Sequence, residues 1–231
     1  MRRTALAALV LVFAASCATR QPMTGQEAAD VDRKLSTFAY IEEGKLATFI
    51  VDTRATRYRE KDSYVPVEIG IANRGVKVLT LTRESFTLAD ENGNRYPCAS
   101  PKELLDNYDY LDLDRDLEEL NEIVFNRFGA MTRYPSNFSP THFAAREGQS
   151  RVVIDRIQLP QYGYILDMIY FPMPTTGLRG HKFELTMTAP ELTDPIFVKF
   201  EVKLGRRREC TAGPAARQPR LVHVQPRAVP G

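Results

Sequence analysis

The stretch YVPVEIGIANRG, residues 64–75, decides the fold, because apolar side chains recur there at every second position. Alternation with a period of two is typical of a β-strand that buries one face. Asn73-Arg74-Gly75 follows and has the composition of a turn. The sequence therefore predicts a half-buried strand that ends in a turn, with these residues on the buried face: Val65, Val67, Ile69 and Ile71.

The segments VKVLTLT (residues 76–82) and ESFTLADENGNRY (residues 84–96) continue this pattern. Phe86 and Leu88 alternate with smaller neighbours, as in a second half-buried strand. Asp90-Glu91-Asn92-Gly93 then supplies residues that tolerate positive φ where the chain must reverse. We expect a hairpin here, and hence antiparallel β structure.

Strand patterns also precede and follow this stretch. Residues 45–57 are rich in Thr, Ile and Val and predict the first strand. Residues 164–171 (YILDMIYF) are nearly all apolar, as in a strand buried on both faces. Three further segments have strand patterns, namely Val152-Val153-Ile154, 183–188 and 196–203. About eight strands separated by turns predict an all-β protein with an antiparallel two-sheet sandwich.

Residues 100–148 interrupt the strands and predict a helical and aromatic insertion. Ser100-Pro101-Lys102-Glu103 has the form of a capping box with proline at the first helical position. The spacing of the leucines that follow predicts a helix over at least residues 112–128. The rest of the insertion is a proline-punctuated loop, and long loops of this kind are often functional.

The chain begins with Met1-Arg2-Arg3 and an apolar run over residues 5–15. About twenty apolar residues are needed to span a bilayer, so this run fits the middle of a secretion signal. The ending Ala14-Ala15-Ser16-Cys17 resembles the lipobox of bacterial lipoproteins, although Ala14 stands where leucine is usual. The resemblance implies acylation at Cys17, and Ala18 after the cysteine favours the outer membrane. The alternative is ordinary cleavage after Ala18 without a lipid.

Three segments of the predicted sandwich carry a second resemblance. SFTLADENGNRYP, IYFPMP and the pair KFELTM and FVKFEV together resemble the immunoglobulin-like domains of bacterial surface lipoproteins. The resemblance covers about residues 45–204 without the insertion. It implies an immunoglobulin-like fold and brings no catalytic residues with it.

The predicted organisation divides the chain into four parts. Residues 1–16 are a signal peptide, and residues 17–44 are the lipid-attachment cysteine with a tether. Residues 45–204 form the sandwich, and residues 205–231 are a disordered basic tail. The tail has six arginines and one glutamate, or +5, and Arg2 and Arg3 of the signal peptide add +2. Since the whole chain carries +2, residues 17–204 carry −5.

Aromatic residues of the insertion are the first candidates for a binding site. Together with a later tyrosine, they could stack on glycan rings or pack against a protein partner. The alternative is that the rings cover the open end of the sandwich. The candidates are Tyr134, Phe138, Phe143 and Tyr162.

The basic tail is the second candidate. Arg206, Arg207 and Arg208 could contact an anionic surface such as lipid head groups. Export argues against a nucleic-acid partner. The alternative is a solvated tail that binds nothing.

The sequence offers few candidates for a metal site, a cofactor site or a disulfide. Asp112-x-Asp114-x-Asp116 opens like a calcium loop, but Leu117 and Ile123 stand where such a loop needs glycine and glutamate. A solvated helix face explains the acidic residues better, so we expect neither a metal nor a cofactor. Cys98 and Cys210 could form a disulfide in an oxidising envelope.

The sequence lacks the common catalytic motifs, including G-x-S-x-G, H-E-x-x-H and C-x-x-C. We therefore expect an envelope lipoprotein that serves as a structural or protein-interaction module and is not an enzyme. The alternative is a module that binds a glycan or cell-wall polymer through the aromatic loop. An enzyme built from dispersed acids is a third, weaker hypothesis.

Overall fold

The computed structural model describes residues 33–118, 120–140 and 153–203. The strands are β1 Arg33–Lys34, β2 Ala39–Glu43, β3 Ala47–Asp52, β4 Tyr64–Asn73, β5 Val78–Thr82, β6 Phe86–Asp90, β7 Arg95–Pro97, β8 Thr132–Arg133, β9 Arg156–Pro160, β10 Gly163–Pro172, β11 Lys182–Met187 and β12 Ile196–Glu201. The helices are α1 Pro101–Asn107, α2 Leu111–Arg115 and α3 Leu120–Phe128. Within this part of the chain, no helix is both long enough and apolar enough to span a membrane.

The described part of the chain is mostly β, as the sequence predicts. A six-stranded sheet has the order β1-β2-β3-β4-β10-β8, and a four-stranded sheet has the order β12-β11-β6-β7. Strands β5 and β9 form a separate pair. All of these pairings are antiparallel except that of β8 with β10. The hairpin predicted at residues 86–96 is confirmed, since β6 pairs with β7 across the turn.

One face of the six-stranded sheet packs on the other two sheets, and we call it the inner face. Val67 and Ile69 of β4 share one apolar core there with Leu88 of β6 and Leu185 of β11. Strand β10 faces the same core through Ile165, Ile169 and Phe171. The period of two thus places the predicted residues of β4 in the main core.

The opposite, outer face of this sheet is buried as well, which corrects the prediction of a half-buried β4. Helix α3 packs on β4 and β10 with Val124 in a second apolar cluster, and α1 and α2 bury Leu104 and Leu111 in a third. Gly70 lies directly below α3, because a Cβ atom there would be only 3.2 Å from Cγ2 of Val124. The predicted insertion is therefore a layer over the sheet.

Other boundaries differ from the expectations. The predicted helix over residues 112–128 is wrong as one helix, because α2 ends at Arg115 and α3 begins at Leu120. Within the described residues the sheet already includes β1 and β2, which precede the first strand predicted at residue 45. The late strand expected at residues 152–154 begins at Arg156. More than eight strands form, since several short strands carry little sequence pattern.

Candidate interaction face

The helices α1–α3 and the short connections between them, residues 101–128, form what we call the helical layer, and α1 begins as the sequence predicts. The backbone N–H of Glu103 donates to Ser100 Oγ at 3.2 Å, and the N–H of Ser100 donates to Glu103 Oε2 at 2.8 Å. This reciprocal pair satisfies two donors that a helix start otherwise leaves free. The predicted capping box is confirmed, and it fixes where the helical layer starts.

A buried ion pair holds α2 to the body of the protein. Arg59 Nε donates to Asp114 Oδ1 at 2.7 Å, and Arg59 Nη2 lies 2.6 Å from the same oxygen. The Tyr108 hydroxyl donates to Asp114 Oδ2 at 2.6 Å. Asp114 has no exposed surface. Its carboxylate therefore joins the loop after β3, the end of α1 and α2 at a single point.

The pKa values around this ion pair follow from burial. Burial raises the pKa of Asp114, and the hydrogen bond from Tyr108 and the charge of Arg59 oppose the rise. Burial, and then the neighbouring Asp114 charge, raise the pKa of Tyr108. The tyrosine therefore stays protonated and keeps donating its hydrogen bond. A buried network of this kind can be structural or functional. Here both carboxylate oxygens of Asp114 already accept hydrogen bonds, from Arg59 and from Tyr108, so the network serves to hold the structure together.

A second carboxylate holds α3. Both oxygens of Glu68, on the outer face of β4, accept from the backbone N–H of Leu120, at 3.1 and 3.2 Å. Leu120 is the first residue of α3, so the negative charge lies at the positive end of the helix dipole. Glu68 thus fixes the start of α3 over the middle of the sheet.

Tyrosine rings cluster beside the ion pair and reach the surface. The Tyr108 ring makes edge contacts with Tyr64, Tyr110 and Tyr170 at centroid distances of 5.8, 5.7 and 5.4 Å. The guanidinium of Arg59 lies 4.3 Å from the centroid of the Tyr110 ring, a favourable cation–π distance. Tyr110 is partly exposed, so the cluster connects the buried pair to the outside of the helical layer.

The outside of the helical layer carries large apolar side chains. Each helix buries at least one apolar residue and exposes another. Four of the seven large apolar side chains exposed in the described part of the chain lie in this layer. They are Leu105 (53% exposed), Tyr110 (38%), Leu113 (56%) and Phe125 (69%). Single exposed apolar side chains are common on proteins, whereas a group of them on one layer is typical of an interaction surface.

The same surface is acidic. Residues 101–128 contain nine acidic and three basic side chains, which gives −6. Residues 17–204 carry −5 in total, which leaves +1 for the remainder of that range. Several of these carboxylates are exposed around the apolar side chains, namely Asp106, Asp109, Asp112, Asp116 and Glu122. We call this acidic, apolar outer surface of the helical layer the interaction face.

The aromatic residues predicted as binding candidates lie elsewhere. Phe138 has no exposed surface and packs in the main core, with its ring 5.5 Å from that of Phe86. A ring without exposed surface cannot stack on a glycan, so this part of the prediction is wrong and Phe138 covers the core instead. Tyr134 is partly buried against the same core. Tyr162 is 61% exposed, and Phe143 lies outside the described residues.

The remaining candidates are only partly described. Burial raises the pKa of the Cys98 thiol to about 12, which makes its thiolate scarce at neutral pH. Its predicted partner Cys210 lies outside the described residues, as do Cys17 and Arg206, Arg207 and Arg208. The disulfide, the lipidation and the anionic contact stay predictions.

The calcium-like sequence does not form a loop. It lies on and just after α2, where Asp114 points inward to Arg59 while Asp112 and Asp116 are exposed. The expectation of a wholly solvated helix face is therefore wrong for Asp114. Across the described ranges, no group of three or more His, Cys, Asp or Glu side chains could hold a metal ion.

Sequence reasoning missed the residues that build the interaction face. Arg59 and Asp114 are 55 positions apart, and no local pattern links them. One signal was present in Glu68, a carboxylate within an otherwise apolar strand, because a buried charge must have a partner. Comparison of the chain with family models, curated proteins and solved structures finds no match. The function therefore has to be inferred from these surfaces.

Proposed function

We propose that this chain is a lipid-anchored protein of the bacterial cell envelope that binds a protein partner through the interaction face and catalyses no reaction. The observation that carries the proposal is the exposure of Leu105, Leu113 and Phe125 on one acidic layer of helices. Interfaces combine apolar anchors with a polar rim, and this surface has both.

The proposed architecture is an immunoglobulin-like sandwich, and strand order supports it. In immunoglobulin domains, strands A, B and E are neighbours in one sheet and strands G, F and C in the other. Here β3, β4 and β10 are neighbours in one sheet, and β12, β11 and β6 in the other. Taken in chain order, these six strands correspond to A, B, C, E, F and G. The helical layer is then an addition on the outside of the A-B-E sheet.

The proposed location follows from the start of the chain. The basic head, the apolar run and Cys17 resemble a lipoprotein leader, and Ala18 favours the outer membrane over the inner one. An acyl chain contributes about 0.8 kcal/mol for each buried methylene, so several chains give a durable anchor. An anchored domain meets its partners at the membrane surface, where a protein-binding face is useful.

A second candidate function is binding of a glycan or cell-wall polymer. Tyr162 favours it, because this largely exposed ring has a φ of 61° in the turn between β9 and β10. A bulky residue at positive φ is strained, and strain of this kind collects at functional sites. Tyr134 directly follows β8, the edge strand that pairs with the start of β10. Tyr134 and Tyr162, two of the predicted rings, therefore lie along the β8 edge of the six-stranded sheet. Of these two rings only Tyr162 is largely exposed.

Paired surface variants separate the two candidates. The double variant Leu113→Ser, Phe125→Ser should lose a partner that the wild-type chain captures from a solubilised envelope, because both side chains are exposed anchors. The matched control is Tyr162→Ser, which also removes one exposed large side chain. Retention of the wild-type partner by the double variant would refute the proposal. Loss of retention on cell-wall material by Tyr162→Ser alone would support the glycan alternative.

A further inference from the structure

We propose that the interaction face is occupied by the arginine-rich segment at residues 205–231 of the same molecule until an external partner displaces it. This inference rests on the proposed function, because it takes the interaction face as a docking surface. It also defines the chemistry of the external partner, which must present basic and apolar side chains together in order to compete.

Charge is the first argument. The helical layer carries −6 over residues 101–128, whereas residues 205–231 carry +5. The rest of residues 17–204 carries +1 in total, so the excess negative charge of the body lies in the helical layer. Opposite fields of this size steer two surfaces together even when each exposed ion pair contributes little.

Apolar content is the second argument. The segment includes RLVHV, in which Leu221, Val222 and Val224 stand between Arg220 and Arg227. Apolar residues flanked by arginines match a surface whose apolar side chains are flanked by carboxylates. Charge alone would suit any acidic surface, but this combination favours the face that exposes Leu113 and Phe125.

The place where the described chain ends is the third argument. The Tyr40 hydroxyl of β2 donates to the Glu201 carbonyl at 2.9 Å, so the end of β12 lies beside β2. On the outer face, Ala39 and Ile41 of the same β2 pack in one cluster with α3. The described chain thus ends on the inner side of β2, and the segment can reach the helical layer by passing around the β1 edge of the sheet. An extended chain advances about 3.3 Å per residue, so residues 204–221 can reach across about 60 Å.

The experiment compares backbone hydrogen exchange across residues 101–128 in the full chain at low salt. The test variant is Arg217→Gln, Arg220→Gln, Arg227→Gln, which keeps the length of the segment and removes the charges around its apolar stretch. We expect exchange in α2 and α3 to be several-fold faster in this variant than in the wild type. High salt should abolish the difference, because the contacts are between exposed charges. Equal exchange in the two chains at low salt would overturn the inference.

Charge variants on the other side test which surface is involved. Asp106→Lys and Asp116→Lys lie at helix C-terminal ends, where a cation also favours the helix dipole, so neither should weaken its own helix. Combined, they should remove the effect of the arginine variant. Asp194→Lys, in the exposed loop before β12, is the control and should leave that effect intact. An equal loss with Asp194→Lys would show non-specific attraction and overturn the inference.

Two further outcomes keep the inference separate from the proposed function. Binding of the wild-type chain, but not the arginine variant, to anionic vesicles together with equal exchange would assign the segment to lipid instead. If the exchange difference is present but no partner depends on Leu113 and Phe125, the proposed function fails and the intramolecular contact stands. If the partner depends on those residues while exchange is equal, only the contact fails.

Discussion

The two faces of the six-stranded sheet are both buried, yet different forces bury them. The inner face meets the other sheets through a continuous apolar core. The outer face meets the helices through smaller apolar clusters and through directed polar bonds of Glu68 and Asp114. Apolar burial is not directional, whereas a buried carboxylate demands particular donors. The inner face therefore determines the fold, and the outer face determines where the helical layer lies.

The largest expected effect is at the inner face. Phe171→Ala removes a fully buried ring from the main core and should lower the free energy of unfolding by about 3–5 kcal/mol. Sheets and helices should unfold together in denaturant, because this core joins the sheets. Phe125→Ala also removes a phenyl ring, but from the exposed side of α3, and should change the free energy of unfolding by less than about 0.5 kcal/mol. If both substitutions strongly lowered the free energy of unfolding, the exposed side of α3 would have to be covered by another segment or another molecule.

Asp114→Ala should lower the free energy of unfolding nearly as much, but by loosening the helical layer instead of the main core. It leaves Arg59 and Tyr108 buried without their acceptor, and breaking a buried pair typically costs about 3–5 kcal/mol. Hydrogen exchange should rise first in α1 and α2 while the sheets stay protected. The exposed Asp116→Ala is the matched control and should be close to neutral. Uniform exchange throughout the chain would contradict the separate roles of the two faces.

The double variant Arg59→Met, Asp114→Leu sharpens the same point. Replacing both members of a buried pair by apolar residues of similar size is often neutral, so the stability lost in Asp114→Ala should return, apart from about 1–3 kcal/mol for the buried Tyr108 hydroxyl that has lost its acceptor. Chemical denaturation of the three chains measures the recovery. A double variant as unstable as Asp114→Ala would show that the charge itself is needed at this position.

Glu68→Ala should have an intermediate effect confined to α3. It leaves the Leu120 N–H without a side-chain acceptor and removes the negative charge from the helix start, at a cost of about 1–3 kcal/mol. Glu68→Gln keeps an oxygen at that place and should cost less. Amide exchange at the first turn of α3 distinguishes them, and equal effects of the two substitutions would argue against the carboxylate as the anchor.

The smallest effect is expected at the start of α1. Ser100→Ala removes the N-cap oxygen that accepts from Glu103, which should cost about 1 kcal/mol. Lys102→Ala, in the first turn of the same helix and exposed, is the control. Thermal unfolding followed by circular dichroism is sensitive enough. No difference between the two variants would mean that α1 is held by packing of Leu104 alone.

Much of the inner half of the fold could be predicted from sequence. Alternation in β4 and β6, the turn at Asp90 and the capping box at Ser100 depend on residues close together in the chain. The outer face was missed because a period of two tells which residues share a face, not whether that face meets water. Small residues such as Gly70 were the available hint, since they permit a helix to approach closely.

The interaction face was harder to predict for the same reason. Leucine spacing suggested one long helix, but the break before Leu120 turns Leu113 outward and Asp114 inward. The ion pair of Asp114 depends on a residue far away in the chain, which composition cannot indicate. The aromatic loop attracted attention through its composition, although at least Phe138 serves the core.

Photo-crosslinking from position 125 in the envelope of cells that make the full chain tests the central claim most directly. A photoreactive phenylalanine analogue at Phe125 should give a discrete crosslink to one other protein, because this side chain is the most exposed anchor of the interaction face. The same analogue at Tyr162 should give none. Crosslinks from Tyr162 to a discrete partner, with none from position 125, would contradict the account.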